Sequence, residues 1–221
     1  MTIDEAIISR HSVRKYTDQK IDDATKEALQ QTIDECNREG NLKIKLFTDD
    51  PTAFNGLMAR FGSFKNVRNC IAMIGTKSDD LDERAGYYGE QIVLKAAMLG
   101  LNTCWVGLTY NLKAKSLANG EDKLVCMISL GYGVTQGVQH KNRPIEAISH
   151  VEGETPDWFH RGLEYALLAP TAMNQQHFIF SYDGNKVKAE ATGGFFDKVD
   201  LGIVEYHFEI GSGKKIFFQK K

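Results

Sequence analysis

The sequence has no long apolar run, only four prolines and four cysteines, and almost no surplus of charge. No stretch reaches the ~20 apolar residues that cross a bilayer. The longest, Ile92 to Leu101, is broken by Lys95. Met1 to Glu5 carries neither the basic nor the apolar stretch of a secretory signal. A cytoplasmic chain with no membrane partner is therefore expected. With 27 basic and 29 acidic residues, the net charge is −2. No cationic excess exists to neutralise a phosphate backbone, so no nucleic-acid partner is expected. Cys36, Cys70, Cys104 and Cys126 form no CxxC pair, and Cys70 and Cys126 lie in apolar strings. They read as buried reduced thiols rather than disulfides or metal ligands. The six histidines show no metal-ligand spacing, and no metal is expected.

What is present suits a folded protein. The 221 residues are 42% apolar, enough to bury a sizeable core. Apolar spacing predicts a short helix over 3–9. A second helix begins at Asp22 or Asp23 and runs to about Cys36, with Gly40 ending the segment. Leu42 to Leu46 alternates as a half-exposed strand, and Asp49-Asp50-Pro51 turns into another short helix. Cys70 to Ile74 and Leu124 to Leu130 read as buried strands. Gly86 to Leu99 is apolar nearly all round and reads as a buried helix, with Gly100 at a left-handed cap. Asp157 to Leu168 is a helix, Phe178 to Tyr182 a strand, and Asp183-Gly184-Asn185 a turn into the strand at Val187 to Ala189. Asp197 to Ile210 is the last helix. Strands and helices mixed without regular βαβ alternation predict an α+β fold. Residues 133–157 are rich in Gly, Pro and polar residues. They suit a boundary between a first half, 1–150, and a shorter second half, 151–221.

The chemistry concentrates in basic clusters. Arg10-His11-Ser12-Val13-Arg14-Lys15-Tyr16 places residues 10, 12 and 14 on one side if the segment is extended. Two guanidiniums and a hydroxyl can surround a phosphate, and a solvated basic loop fits the same residues. Lys141 and Arg143 are again two apart, in a chain stiffened by Pro144. Trp105 and Tyr110 suit either the core or a gate over a ligand. Glu90 and Lys95 suit an internal ion pair or an exposed edge. Glu205, His207 and Glu209 share the last helix, where His207 reads as hydrogen-bonded structure. Lys214, Lys215, Lys220 and Lys221 read as a solvated tail.

These residues resemble the nitroreductase family of flavoproteins. Ile8 to Tyr16 is similar to that family's N-terminal signature. Leu99 to Gly107 resembles its late helix and turn against the flavin. Ser129-Leu130-Gly131-Tyr132-Gly133, followed by Lys141-Asn142-Arg143-Pro144-Ile145-Glu146, resembles its last strand and closing basic motif. Ala169 to Gln176 resembles its small-residue loop. The resemblance implies a nitroreductase-like fold, a mixed sheet flanked by helices, with FMN as cofactor. It implies that Arg10, Ser12, Arg14, Lys141 and Arg143 hold the phosphate and nearby ribityl oxygens, with His11 reaching the ring or ribityl. Gly107 and Leu108 would present a backbone N–H near flavin N5. Pro170, Thr171, Ala172, Met173, Asn174 and Gln176 would line the other side of the ring. The implied activity is an oxidoreductase in which NAD(P)H delivers hydride to the flavin and a small-molecule electron acceptor, a nitroaromatic or quinone, removes it. No protein acid or base is required for the first step, and no catalytic side chain is named. A flavin-binding protein without activity, or a degenerate fold with an interaction role, are the alternatives.

The chain departs from that family's order. The small-residue loop normally follows the first long helix, where this sequence has Cys36 to Asn41. It stands instead after residue 168, with His177-Phe178 where a Pro-aromatic pair is usual. Thr25 to Phe47 parallels Phe159 to Phe180, and Gly86 to Gly100 parallels Val199 to Gly213. Residues 155–213 thus read as a shortened second copy. The resemblance implies the homodimers of the family's ordinary members, which have two flavin sites at the interface, each using the partner's small-residue loop. The repeat therefore leads to the expectation of a monomer imitating a dimer, with one flavin per chain, and a homodimer as the other possibility.

Overall fold

Thr2 begins the first helix, α1 (Ile3–Ser9). Its hydroxyl accepts the Glu5 N–H at 3.2 Å, and the Glu5 carboxylate accepts the Thr2 N–H at 2.8 Å. This capping box satisfies two otherwise orphaned donors. Asp22 caps α2 (Asp23–Gly40) by accepting the Thr25 N–H at 2.9 Å, which holds its carboxyl below the usual range. The helix runs past Cys36, and the left-handed residue that ends it is Asn41, not Gly40. Asparagine tolerates that conformation. Asn37, one turn earlier, bonds both the N–H and the carbonyl of Ile44. That tether delays regular pairing, so β1 covers only Lys45–Phe47.

The computed structural model describes residues 1–218, apart from the Leu112 side chain. Lys220 and Lys221 lie outside the described residues. The protein is α+β, with two sheets among the described residues and two compact units. Met1–Leu81 with Gln91–Gln139 forms the first unit, and Asp82–Glu90 with the chain from His140 onward forms the second.

In the first unit, β2 (Asn69–Thr76) and β4 (Asp122–Gly131) are the central strands of an antiparallel sheet. Its order is β1-β2-β4-β3, with β3 at Asn102–Val106. The run expected from Cys70 to Ile74 is buried on both faces. The short helix after Pro51 is a single 3-10 turn at Thr52–Phe54, followed by α3 (Leu57–Phe61). Residues 99–107, likened to a helix and turn, are mostly strand. The helix α4 (Leu81–Met98) stops, Gly100 takes φ +81°, and the β-branched and aromatic run Thr103 to Val106 pairs with β4. All four cysteines are buried and free. Burial pushes the Cys36 and Cys70 thiols up to about 12.

The second unit holds β5 (Ser149–Val151), α5 (Asp157–Leu168), β6 (Phe178–Tyr182), β7 (Val187–Ala191) and α6 (Asp197–Ser212). Strand β5, too short to leave a periodic signal, runs parallel to β6. The β6–β7 hairpin is antiparallel. Phe159, Phe178, Phe180 and Phe208 form its core, with Phe180 stacked on Phe208 at 4.5 Å between centroids.

The first half of α4 lies against α6 in this unit. A Cβ at Gly86 would collide with the carbonyl of Val199 and crowd the Ile203 N–H. A Cβ at Gly202 would collide with the carbonyl of Glu83 and crowd the Tyr87 N–H. The two contacts are reciprocal. Each glycine meets, on the other helix, the residue three before its counterpart and the residue one after it. Gly86→Ala and Gly202→Ala are each expected to destabilise the protein by about 1–3 kcal/mol through overpacking. Urea unfolding measures this, with Gly56→Ala, where a Cβ meets nothing nearer than 3.7 Å, as a control for the loss of a glycine elsewhere.

Candidate functional site

The N-terminal basic segment is tied into the first unit along its backbone. The Val13 N–H donates to Thr103 at 3.0 Å, and Lys65 donates to the Arg14 carbonyl at 2.9 Å. Val134 donates to the Lys15 carbonyl at 2.9 Å, and Thr17 donates to Tyr132 at 2.8 Å. Between these ties, Val13 and Tyr16 enter the core. The Tyr16 hydroxyl bonds the Val13 carbonyl at 2.6 Å and Ser129 at 2.8 Å, and burial raises its pKa. Val13 thus turns into the core between Ser12 and Arg14, as extended chain allows, while Tyr16, of the same parity as residues 10, 12 and 14, turns inward beyond them.

The Arg10, Ser12 and Arg14 side chains all act on the electrostatics of Cys104 in β3. Burial raises the Cys104 pKa, and Arg14, a hydrogen bond from Ser12, and Arg10 oppose that rise. Arg10 is only 6% exposed, whereas Arg14 is exposed and Ser12 half-buried. Two guanidiniums and a hydroxyl gathered on one rigid segment fit a phosphate monoester: the donors are charged, fork-shaped and pre-positioned. His11 is half-buried, where Gly137 packs closely on it. Gly107 and Leu108 follow directly on β3, and Leu108 is 54% exposed. Tyr110 belongs to the hydrophobic core, and Trp105 is half-buried.

In the second unit the structure joins two groups of residues that the sequence separates. Gln176, fully buried, accepts the Arg143 N–H at 2.7 Å on its side-chain oxygen. Its carbonyl accepts from the Arg143 guanidinium at 3.0 Å, and its amide nitrogen donates to the Lys141 carbonyl at 3.3 Å. Asn174 donates to the same carbonyl at 2.9 Å. Lys141 and Arg143 thus lie along the small-residue loop, itself a 3-10 turn at Ala172–Asn174 after buried Pro170. Thr171 accepts the Gln176 N–H at 3.1 Å. Met173, Asn174 and Gln176 all take positive φ. Met173 is 84% exposed, an apolar side chain held in the open.

Asp200 anchors this loop from α6 and was not singled out as a site residue from sequence. Both its oxygens lie within 3.0 Å of the Ala172 N–H, and one accepts from Gln175 at 3.0 Å. Burial pushes its carboxyl up to about 7. The other polar residues of α6 are structural. His207 donates from Nδ1 to the Tyr165 carbonyl at 3.2 Å and stands 3.0 Å from Glu90, both residues fully buried. The buried partner of Glu90 is therefore this histidine. Glu209 accepts from Tyr87, Lys215 and the Ile216 and Phe217 N–H groups, so Lys215 is engaged rather than a free tail. Lys214 lies over the Trp158 ring at 4.5 Å. Among the described residues no cluster of three or more His, Cys, Asp or Glu has the arrangement of a metal site, and no helix is long and apolar enough to cross a membrane.

The family model described as "Putative TM nitroreductase" matches residues 2–212. The chain belongs to this nitroreductase family. It is accordingly an oxidoreductase by family and a nitroreductase by fold. A similar solved structure is the "putative nitroreductase" of Thermotoga maritima, 26% identical. That match covers 96% of this chain and 83% of the other, with a TM-score of 0.67. A Desulfovibrio desulfuricans nitroreductase crystallised with FMN is 19% identical. It covers 71% of this chain and 99% of its own, with a TM-score of 0.57. A Clostridium acetobutylicum protein described as a "putative NADH oxidase" is 18% identical, over 67% and 99%, with a TM-score of 0.53. The last two share the fold. No curated protein matches the chain at a significant level.

The buried carboxyls of this chain make its stability pH-dependent. Burial, the nearby Glu83 and Glu209 charges and a hydrogen bond to Glu83 push Glu205 up to about 9. A raised carboxyl favours the folded state when protonated. Its contribution is complete below its unfolded value and is lost as pH rises through about 9. The unfolding midpoint in urea is expected to fall between pH 5 and pH 9.5, and Glu205→Gln to flatten that fall. An unchanged slope in the variant contradicts the assignment.

Proposed function

We propose that this chain is an FMN-dependent NAD(P)H oxidoreductase that reduces a small electron-poor acceptor such as a nitroaromatic or quinone. The observation that carries the reading is the placing of Arg10, Ser12 and Arg14 on one segment whose backbone is pinned at several points. When bound, FMN supplies the two-electron chemistry, taking hydride from a nicotinamide donor and yielding it to the acceptor. The chain's own task is to bind, orient and shield. Arg10 meets the phosphate from a buried position and Ser12 from a half-buried one, and Arg14 adds charge from the solvent side. His11 is assigned to the ribityl or ring, and the Gly107–Leu108 backbone to an N–H near N5. In the second unit, Lys141 and Arg143 are assigned to phosphate and ribityl oxygens. Pro170, Thr171, Ala172, Met173, Asn174 and Gln176 are assigned to a ring face. No side chain is asked to move a proton in the reductive step.

We also read the chain as a monomer that imitates the family's dimer. The reciprocal approach of Gly86 and Gly202 supports this, because an internal two-fold between equivalent helices produces that pattern. Light scattering is expected to give one chain per particle and flavin titration one FMN per chain. A stable dimer holding two flavins per chain contradicts it.

The cofactor assignment is tested by flavin affinity. Arg10→Ala and Arg14→Ala are each expected to weaken FMN binding roughly 10- to 100-fold, as loss of a charge-assisted hydrogen bond implies. Flavin fluorescence quenching measures this, alongside NADH- and NADPH-driven quinone reduction. If both variants bind FMN as the parent does, the phosphate assignment is wrong. If the parent binds no flavin, the function is wrong.

A further inference from the structure

Three residues of the loop after α5, Met173 (φ 51°), Asn174 (φ 55°) and Gln176 (φ 48°), hold left-handed backbone without being glycine. Each such residue costs roughly 1 kcal/mol, and the shape persists only where surrounding bonds impose it. On one side the bonds come from Gln176, reaching Lys141 and Arg143. On the other they come from a single carboxyl, Asp200, which is 5% exposed. Asp200 accepts the Ala172 N–H on both oxygens, at 3.0 and 2.9 Å, and the Gln175 side-chain amide at 3.0 Å. Gln175 in turn donates to the Phe195 carbonyl at 2.7 Å.

We infer that Asp200 is a positioning residue: by holding Ala172 and Gln175 it fixes the left-handed loop and thereby tunes FMN binding. The inference rests on the reading that this loop lines the flavin. The chemistry makes the anchor sensitive to pH near neutrality. The groups facing Asp200 from the loop are all donors, which suits a carboxylate. Burial opposes ionisation, and so does the like charge of Asp197 in the preceding turn of α6. The balance leaves the carboxyl at about 7. From the first half of α4, Glu83 is engaged one turn further along with Glu205. Protonating Asp200 replaces one acceptor with a donor where only donors face it, so the anchor is strongest above neutral pH.

Two measurements on the full chain test this, each across a pH series that includes pH 6.0 and pH 8.5. The first is amide hydrogen exchange at Ala172 and Gln176 without flavin, corrected for intrinsic rates. The second is the FMN dissociation constant by fluorescence quenching. The parent protein is expected to gain severalfold protection at Ala172 and severalfold tighter FMN binding at the higher pH. Asp200→Asn is expected to lose the pH-dependence of exchange and to bind FMN more weakly at pH 8.5. Its FMN profile should keep only the slope that the phosphate's own ionisation gives. Asp197→Asn keeps the anchor and is expected to move the midpoint to lower pH, so the inference stays testable if Asp200→Asn fails to fold. Exchange and FMN profiles in Asp200→Asn that match the parent's overturn the inference, as does a midpoint that ignores Asp197→Asn. FMN binding that ignores both variants also overturns it while leaving the flavin reading intact. Exchange that follows Asp200 in a parent that binds no FMN overturns the flavin reading and upholds the anchor.

Discussion

Two helices that touch backbone to backbone set the terms for the second unit. With hydrogen atoms in place of side chains at Gly86 and Gly202, α6 and the start of α4 approach until carbonyls fill the space a Cβ needs. Such an approach leaves no room for water between them. Polar side chains on the same faces must then find protein partners. This is why Glu90 meets His207, Tyr87 meets Glu209, and Glu205 stays protonated beside Glu83. Glu90 and Glu209 are satisfied by these partners, whereas Glu205 keeps one buried oxygen without a hydrogen bond, and its cost appears as a dependence of stability on pH rather than as a failure to fold.

Much of this was legible in the sequence, and the reasons differ by element. Helix α5 and strand β6 carry strong periodic signals and begin and end where those signals do. Strand β3 was misread because Leu99 to Gly107 was likened to a motif as one block. The left-handed Gly100 actually divides that block into helix end and strand. Strand β1 is shorter than its alternation suggests, since alternation reports burial and Asn37 occupies the backbone groups of Ile44. The basic segment was legible as a 10, 12, 14 alternation. Its backbone tie to β3 was not, because β3 lies far along the chain. Gln176 was assigned only as a ring contact. Its bonds to Lys141 and Arg143 depend on a fold in which residues some thirty positions apart become neighbours. Asp200 was invisible as a site residue, since one acid near the start of an apolar helix reads as a favourable helix-end charge.

The two clusters solve one problem by opposite means. A cofactor site needs donors whose positions do not depend on the ligand, because ordering them at binding costs affinity. In the first unit the backbone does the ordering: the segment around Arg10, Ser12 and Arg14 is bonded to β3 and to the Lys65 and Val134 chains, and its side chains inherit their places. In the second unit the loop has little regular backbone pairing. Side chains do the ordering there, Gln176 from within and Asp200 from outside. A backbone tie has no titratable group and keeps its strength at any pH that leaves the fold intact. A carboxyl tie does not. The loop is therefore the cluster on which conditions in solution act, and the basic segment is the cluster that stays constant.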